Sequence, residues 1–231
     1  MKRNFVVLGA LLWALATTTA SAAVLVQSTF DTNAEGWTVG DFGFATGNAA
    51  PTFNAAGGNP GGFIRTADQF GFNAYHAPAA FLGNQSAAYG GNFHFDERVL
   101  TSDGATYANV VLSDGALKLQ FRTPPPASGG VIWTSFDIPL LASAGWQLFV
   151  DGINAGAAAT ESQLQQVLTN LTFLHLDADW QSGADQVDLD NVRLESRVQN
   201  NVPEPSSLAL FGLLMGLIGY RRIKDTKAVG A

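Results

Sequence analysis

Short apolar segments separated by clusters of Gly, Asn, Asp and Pro make up the chain between Val24 and Ser196. From Leu117 to Phe121 apolar and polar residues alternate, and Phe93 and Phe95 flank His94 in the same way. Successive side chains of a strand point to opposite faces, so this alternation buries one face and leaves the other in water. Short strands interrupted this often by turns predict a single all-β sandwich.

Other segments complete this prediction. Four more have the character of strands, namely residues 131–138, 147–150, 173–177 and 187–194. Gly58 to Gly62 predicts a loop, and Pro124-Pro125-Pro126 predicts a connection, because proline cannot donate to a sheet ladder. One short helix is expected after Thr160, which fits a capping box with Gln163. Its apolar stripe predicts that it packs flat across the edge or end of a sheet, and consists of Leu164, Val167, Leu168 and Leu171.

The first residues have the order of a secretory signal peptide. Lys2 and Arg3 precede an apolar run from Phe5 to Ala16, and a small-residue stretch ends at Ala22. This order predicts that residues 1–22 are a signal peptide, cleaved between Ala22 and Ala23. The apolar run is shorter than the ~18 residues of a membrane span, which argues against a permanent anchor.

Residues 199–231 form a tail of three parts. The box Val202-Pro203-Glu204-Pro205 precedes an uncharged segment, 206–220, and a basic cluster, 221–227, that begins with Arg221 and Arg222. The uncharged segment predicts an apolar helix of marginal length for a bilayer, with the basic cluster on the cytoplasmic side.

This order of parts resembles the PEP-CTERM sorting signal of Gram-negative bacteria. The resemblance implies that an exosortase-type enzyme processes the tail, so that the segment is a processing signal and not a permanent anchor. It also implies transient association with the inner membrane and a final location at the cell surface or outside the cell.

Charge and the absence of cysteine exclude several classes of function. Residues 23–205 carry six basic and eighteen acidic residues, a net charge of −12. Such a surface repels phosphate backbones, so nucleic acid is not an expected partner, whereas divalent cations and neutral glycans are compatible with it. With no cysteine, disulfides, thiolate zinc sites, iron–sulfur clusters and cysteine nucleophiles are excluded.

The block from Tyr75 to Gly91 resembles the hallmark of the laminin B domain, also called laminin IV type A. It holds an aromatic, an Ala-Pro pair, Phe81-Leu82-Gly83-Asn84 and Tyr89-Gly90 in the order that this family shows. Residues 109–120 and 189–194 resemble later strands of the family. The resemblance implies a non-catalytic, jelly-roll β-sandwich over residues 23–198, related in architecture to carbohydrate-binding modules. Laminin-type assembly is not implied, because the chain lacks cysteine-rich EGF-like modules.

One group of carboxylates predicts a metal site. Asp188 and Asp190 lie two apart on a predicted strand and therefore share a face, while Asp31 lies near the start of the domain. Because Ca²⁺ prefers oxygen ligands, these three predict a structural Ca²⁺ that clips the first strand to the last, with Asp31 and Asp190 preferred. In the alternative, Asp190-Asn191 forms a bulge or accepts hydrogen bonds from backbone donors.

A second pair, Asp177 and Asp179, has a spacing compatible with the two carboxylates of a glycosidase. Spacing alone assigns neither an acid nor a base, and acidic pairs on exposed strands are far commoner than catalytic ones. His76, His94 and His175 have no partner at metal-ligand spacing, and phosphate-loop, dinucleotide and nucleophile-elbow motifs are absent. The sequence therefore favours a protein that is not an enzyme.

Sugar binding needs an exposed aromatic face beside polar groups. Trp37, Trp133 and Trp146 stand in segments that predict core positions, whereas Trp180 lies in a polar stretch that predicts an exposed loop. Trp180 is thus the candidate ligand-binding residue, and the alternative is that it caps the core.

Three functions remain open at this point. The preferred one is a surface or matrix module that associates with exopolysaccharide. The second is a purely structural secreted protein without a glycan site, and the third is a carbohydrate-active enzyme that uses Asp177 and Asp179.

Overall fold

Twelve strands and one α-helix follow one another in residues 21–198, the part of the chain that this computed structural model describes. The strands are β1 (Val24–Ser28), β2 (Thr38–Asp41), β3 (Thr52–Asn54), β4 (Phe63–Ala67), β5 (Asn73–His76), β6 (Asn92–Val99), β7 (Ala108–Ser113), β8 (Lys118–Arg122), β9 (Thr134–Pro139), β10 (Gln147–Leu148), β11 (Phe173–Asp177) and β12 (Gln186–Glu195). The helix, α1, spans Glu161–Thr169.

The strands form two antiparallel sheets of six strands each. The first sheet has the order β3-β4-β12-β6-β9, with β1 paired to β12. The second has the order β10-β8-β7-β11-β5-β2. The predicted all-β, jelly-roll-like sandwich is therefore confirmed. None of the helices in residues 21–198 has the length and apolarity needed to span a bilayer.

The main core lies between the two sheets, where the alternating apolar residues of both meet. Phe93 and Phe95 of β6 are fully buried, as are Leu174 and Leu176 of β11. The phenol of Tyr75 crosses this layer and donates to the carbonyl of Val187 at 2.6 Å. The period-two pattern thus places one face of each strand inside the sandwich.

The helix begins as the sequence predicts. Thr160 caps it, and the reciprocal contacts of a capping box with Gln163 are both present. Leu164, Val167 and Leu168 are buried against the core, and α1 contacts β7 and β8 of the second sheet. Leu171 is also buried, but it lies beyond the last helical residue.

The predicted strands agree with the structure to within one residue except at two boundaries, one of which is the end of β10, at Leu148 instead of residue 150. Residues 131–138 were expected to be a strand, yet β9 starts at Thr134, and Val131 and Ile132 are 79% and 58% exposed. Gly58 to Gly62 forms the loop between β3 and β4, and the three prolines lie in the connection between β8 and β9, as predicted.

Candidate functional site

The outer face of the first sheet carries a row of charged and aromatic side chains. Asp188 of β12 lies opposite Arg65 of β4 on one side and Arg98 of β6 on the other, so all three side chains share one face. One strand further, Glu97 pairs with Thr134, which puts Trp133 beside Arg98 at the start of β9. We call Arg65, Asp188, Arg98 and Trp133, together with Phe63, the outer-face row.

Asp188 holds the two guanidinium groups of this row in fixed positions. Its oxygens accept from Arg65 Nε at 2.6 Å and Nη2 at 2.9 Å, and from Arg98 Nε at 2.8 Å. The Asp188 side chain is 2% exposed, whereas that of Arg65 is 34% exposed and that of Arg98 is 14% exposed. The buried carboxylate therefore fixes two guanidinium groups, which are hydrogen-bond donors and remain partly accessible to solvent.

The aromatic residues of the row pack on these guanidinium groups. The Arg98 guanidinium carbon lies 4.5 Å from the Trp133 ring centroid and 4.8 Å from that of Phe63. Phe63 and Trp133 meet edge to face at 5.7 Å. Trp133 is only half-buried. Its predicted place in the core is wrong, because residue 133 shares the outward orientation of Ser135 and Asp137.

The next carboxylates along this face are covered by the loop between β3 and β4. Asp190 accepts from the backbone N–H of Asn59 at 2.5 Å and of Asn191 at 2.7 Å. The Nδ2 atoms of the same two asparagines donate to Asp96 at 3.1 and 2.7 Å. Burial raises the pKa of Asp190 to about 6.

These contacts decide part of the calcium prediction. Asp188 is wrong as a ligand, because its oxygens are occupied by two arginines. Asp190 and Asn191 form the predicted alternative: Asn191 has a φ of 50°, the ladder with β6 shifts register there, and Asp190 accepts from backbone donors. Asp31 approaches the same loop, with its Oδ1 beside Gly61. Within residues 21–198 there is no group of three His, Cys, Asp or Glu side chains able to hold a metal ion. Calcium binding through Asp31 and Asp190 stays a prediction.

A histidine lies at the far end of the outer face. His94 Nδ1 lies 2.7 Å from Asp137, whose side chain is 62% exposed, and its Nε2 lies 3.4 Å from Asp96. Burial lowers the pKa of His94, but the bonds to the two carboxylates outweigh that effect and raise the pKa above its ordinary value.

Asp177 and Asp179 do not form a glycosidase pair. Asp177 is 0% exposed, and burial raises its pKa well above the usual range, an effect that Glu97 strengthens. A substrate cannot reach a carboxylate enclosed in this way, which argues against the alternative in which Asp177 is catalytic. Asp179 is half-buried, and burial together with the carboxylates of Asp185 and Asp68 raises its pKa to about 6.

The predicted exposure of Trp180 is also wrong. Its side chain is 0% exposed and belongs to the main core, which was the alternative. Its backbone N–H donates to Asp185 at 2.7 Å, and its ring meets Tyr107 edge to face at 6.1 Å. It therefore offers no face to a sugar.

A cavity lies beside this tryptophan at one end of the sandwich. Its volume is about 170 Å³. Its walls combine aromatic, apolar and polar side chains from four loops: Phe72, Tyr107, Ile153, Asp179, Gln181 and Ser182. Half-buried Tyr107 and Asp179 are thus accessible in a concave site that the sequence did not indicate.

Of the two predicted processing regions, the structure describes part of the first and none of the second. Ala23 immediately precedes β1, and its N–H donates to Ser196 Oγ at 3.0 Å. Cleavage between Ala22 and Ala23 stays a prediction. The box from Val202 to Pro205 and the arginines Arg221 and Arg222 lie outside the described residues.

Comparisons with known proteins identify two regions. Residues 201–223 match the PEP-CTERM protein-sorting motif, which includes the box and both arginines and marks a secreted surface protein processed by an exosortase. The predicted sorting signal is thus confirmed. No curated protein matches the chain. Among solved structures, a family 11 carbohydrate-binding module of a Clostridium thermocellum cellulase is similar, with a TM-score of 0.42, 13% identity, and coverage of 78% of this chain and 97% of that one.

Another solved structure is more similar in fold. The L4b domain of human laminin alpha-2 has a TM-score of 0.59 and 15% identity, over 74% of this chain and 98% of that chain. Residues 74–209 match the family model Laminin B (Domain IV). Since this match spans more than half of the sequence, the chain belongs to the laminin B (domain IV) family.

Proposed function

We propose that this protein is a non-catalytic component of the cell surface or extracellular matrix and associates with exopolysaccharide through the outer-face row. The observation that supports this most directly is that Trp133 lies on the outer face, is only partly buried, and packs on the Arg98 guanidinium. A ring fixed before binding loses little side-chain entropy when a ligand covers it.

The polar neighbours of Trp133 suit a neutral sugar. The apolar C–H face of a pyranose packs on an aromatic ring, while its hydroxyl oxygens accept hydrogen bonds. Each guanidinium has five N–H donors, and Arg65 uses two of them on Asp188. The donors that remain on the partly exposed Arg65 and Arg98 are available to hydroxyl groups.

Affinity electrophoresis in exopolysaccharide extracted from the native host tests this function. Residues 23–198 are suitable, because Ala22–Val198 form a compact unit of their own. Trp133→Ala should weaken binding about tenfold, which is ~1.4 kcal/mol. Phe44→Ala is the matched control, since Phe44 is 52% exposed and lies outside the row. Binding that survives Trp133→Ala would refute the site, and a wild type that binds no matrix polysaccharide would favour the purely structural alternative.

The enzymatic alternative has its own test. With Asp177 enclosed, only Asp179 could contact a substrate. Release of reducing sugar by the wild type that is abolished in Asp179→Asn would revive that alternative. We expect no such release, because Asp177, the second carboxylate of that alternative, is enclosed in the protein.

We also propose that the tail holds the protein transiently at the inner membrane of a Gram-negative host until an exosortase-type enzyme acts. Replacing Pro203 and Glu204 by alanine should retain the full-length chain in the membrane fraction, while the wild type is recovered at the surface or in the medium. Equal release of both proteins would contradict this role of the box.

A further inference from the structure

The cavity beside Tyr107 has an electrostatic character different from that of the outer-face row. Asp179 lines it, and Asp68 and Asp185 lie close enough to raise the pKa of Asp179. Tyr107 donates its hydroxyl hydrogen to Asp103, which adds another carboxylate at the rim. In residues 21–198 no arginine or lysine forms an ion pair with any of these four carboxylates.

A further acidic side chain is buried close to Tyr107. Asp177 precedes Asp179 by two residues, and its Oδ2 is buried without a hydrogen-bond partner. Its carboxylate acts on Tyr107 electrostatically, as does that of Asp179. The Arg122 guanidinium donates to the backbone carbonyls of Ile153, at 2.6 Å, and Thr106, and it forms no ion pair with Asp179. Arg122 therefore does not neutralise Asp179 directly.

An aromatic wall beside an unpaired carboxylate is the chemistry that recognises an organic cation. Tyr107 contributes an aromatic ring to the lining of the cavity, and Asp179 contributes an acceptor. A metal ion fits less well, because no three His, Cys, Asp or Glu side chains converge in the described residues. A neutral sugar can donate hydroxyl hydrogens to Asp179, but only a cation also neutralises its charge. A volume of about 170 Å³ admits one small group, not a large ligand.

We propose that this cavity binds the primary ammonium group of an amino sugar, such as a glucosamine unit in a partly deacetylated polysaccharide. Asp179 pairs with the ammonium, and Tyr107 and Phe72 pack against the sugar ring. This site does not depend on the outer-face row, so its test is independent of the test of the function proposed above.

Isothermal titration calorimetry of residues 23–198 at pH 7 and low ionic strength tests the proposal. Tetraglucosamine should bind at least tenfold more tightly than its fully N-acetylated counterpart, a comparison that leaves the protein unaltered. Asp179→Asn and Tyr107→Ala should each weaken tetraglucosamine binding about tenfold. Asp137→Asn, which removes an exposed carboxylate on the other sheet, should leave it unchanged.

Two results would overturn the proposal. The first is equal affinity for the free and N-acetylated sugars, which would show that the ammonium group is not recognised. The second is spermidine binding as tightly as tetraglucosamine, which would show that the site takes amines without a sugar. Thermal unfolding of each variant establishes that lost binding is not lost folding.

Discussion

Asp188→Asn tests whether the buried carboxylate of the outer-face row stabilises the fold. The change is almost isosteric, but it removes the charge that two guanidinium groups share. Breaking a buried ion pair by removing one partner costs about 3–5 kcal/mol. Because Arg65 is 34% exposed, water compensates part of this loss, and we expect about 2–4 kcal/mol.

Urea and thermal unfolding of residues 23–198 measure that loss. For a domain of this size each kcal/mol lowers Tm by about 2–4 °C, so the decrease should be on the order of 10 °C. The matched control is Asp137→Asn, whose side chain is 62% exposed and which should cost less than about 1 kcal/mol. Since Arg98 also supports Trp133, Asp188→Asn should weaken exopolysaccharide binding as well.

A free energy of unfolding for Asp188→Asn within about 1 kcal/mol of the wild-type value would refute this prediction. That result would mean that both arginines reach water without Asp188 and that the outer-face row is not preorganised. Equal destabilisation by Asp137→Asn would also contradict it, because burial would then not distinguish the two carboxylates.

Three further perturbations test other parts of the structure. Burial, with smaller contributions from His76 and Lys118, lowers the pKa of His175 to about 2. Below pH 6.5 His175 is therefore protonated in the unfolded chain and neutral in the folded chain, so stability falls as the pH falls. Between pH 7 and pH 5 the wild type should therefore lose about 2 kcal/mol relative to His175→Phe, measured by urea unfolding. Burial raises the pKa of Glu97 well above its usual range, so its folded form keeps a proton that the unfolded chain releases, and stability falls as pH rises. Glu97→Gln should accordingly raise Tm at pH 8 and lose that gain at pH 4; an unchanged Tm at pH 8 would contradict it. Thr160→Ala removes the hydroxyl that accepts from the backbone N–H of Gln163 and should cost about 1 kcal/mol by thermal unfolding, whereas the exposed Thr169→Ala should cost less.

Local pattern predicted the elements of this fold well where one face of a strand is apolar. Apolar and polar residues alternate in β8, and in β6 except at Glu97, and α1 has both a cap and an apolar stripe, so short-range chemistry favours each of these elements. Strand β9 was placed too early because Val131 and Ile132 are apolar but exposed. An apolar run does not show whether another sheet covers it.

The candidate site was harder to predict, because it depends on register between distant strands. The polar positions in β6 and β12 alternate visibly, at residues 94, 96 and 98 and at residues 188 and 190, which indicates a polar outer face. What the sequence cannot show is that β4 and β6 flank β12 with an arginine opposite Asp188 on each side. For the same reason Trp133 was predicted to be the buried residue and Trp180 the exposed one, whereas Trp180 is fully buried and Trp133 is not. Polar neighbours in sequence suggested exposure for Trp180, while packing buries it against Tyr107 and the core.

The outer face of the second sheet is less accessible to a glycan than the outer face of the first. It is covered by a separate apolar cluster, in which Phe42 and Ala74 are fully buried and Phe72 and Phe149 pack around them. Phe42 meets Phe72 edge to face at 5.3 Å, so loops rather than solvent lie over these strands. A ligand there would have to displace apolar contacts, each buried aromatic contributing about 1.5–3 kcal/mol. The outer face of the first sheet has polar side chains at the same level, and at Trp133 it remains open. Binding at the first sheet therefore requires no rearrangement of the sandwich, whereas binding over the second would require partial unfolding of its loops.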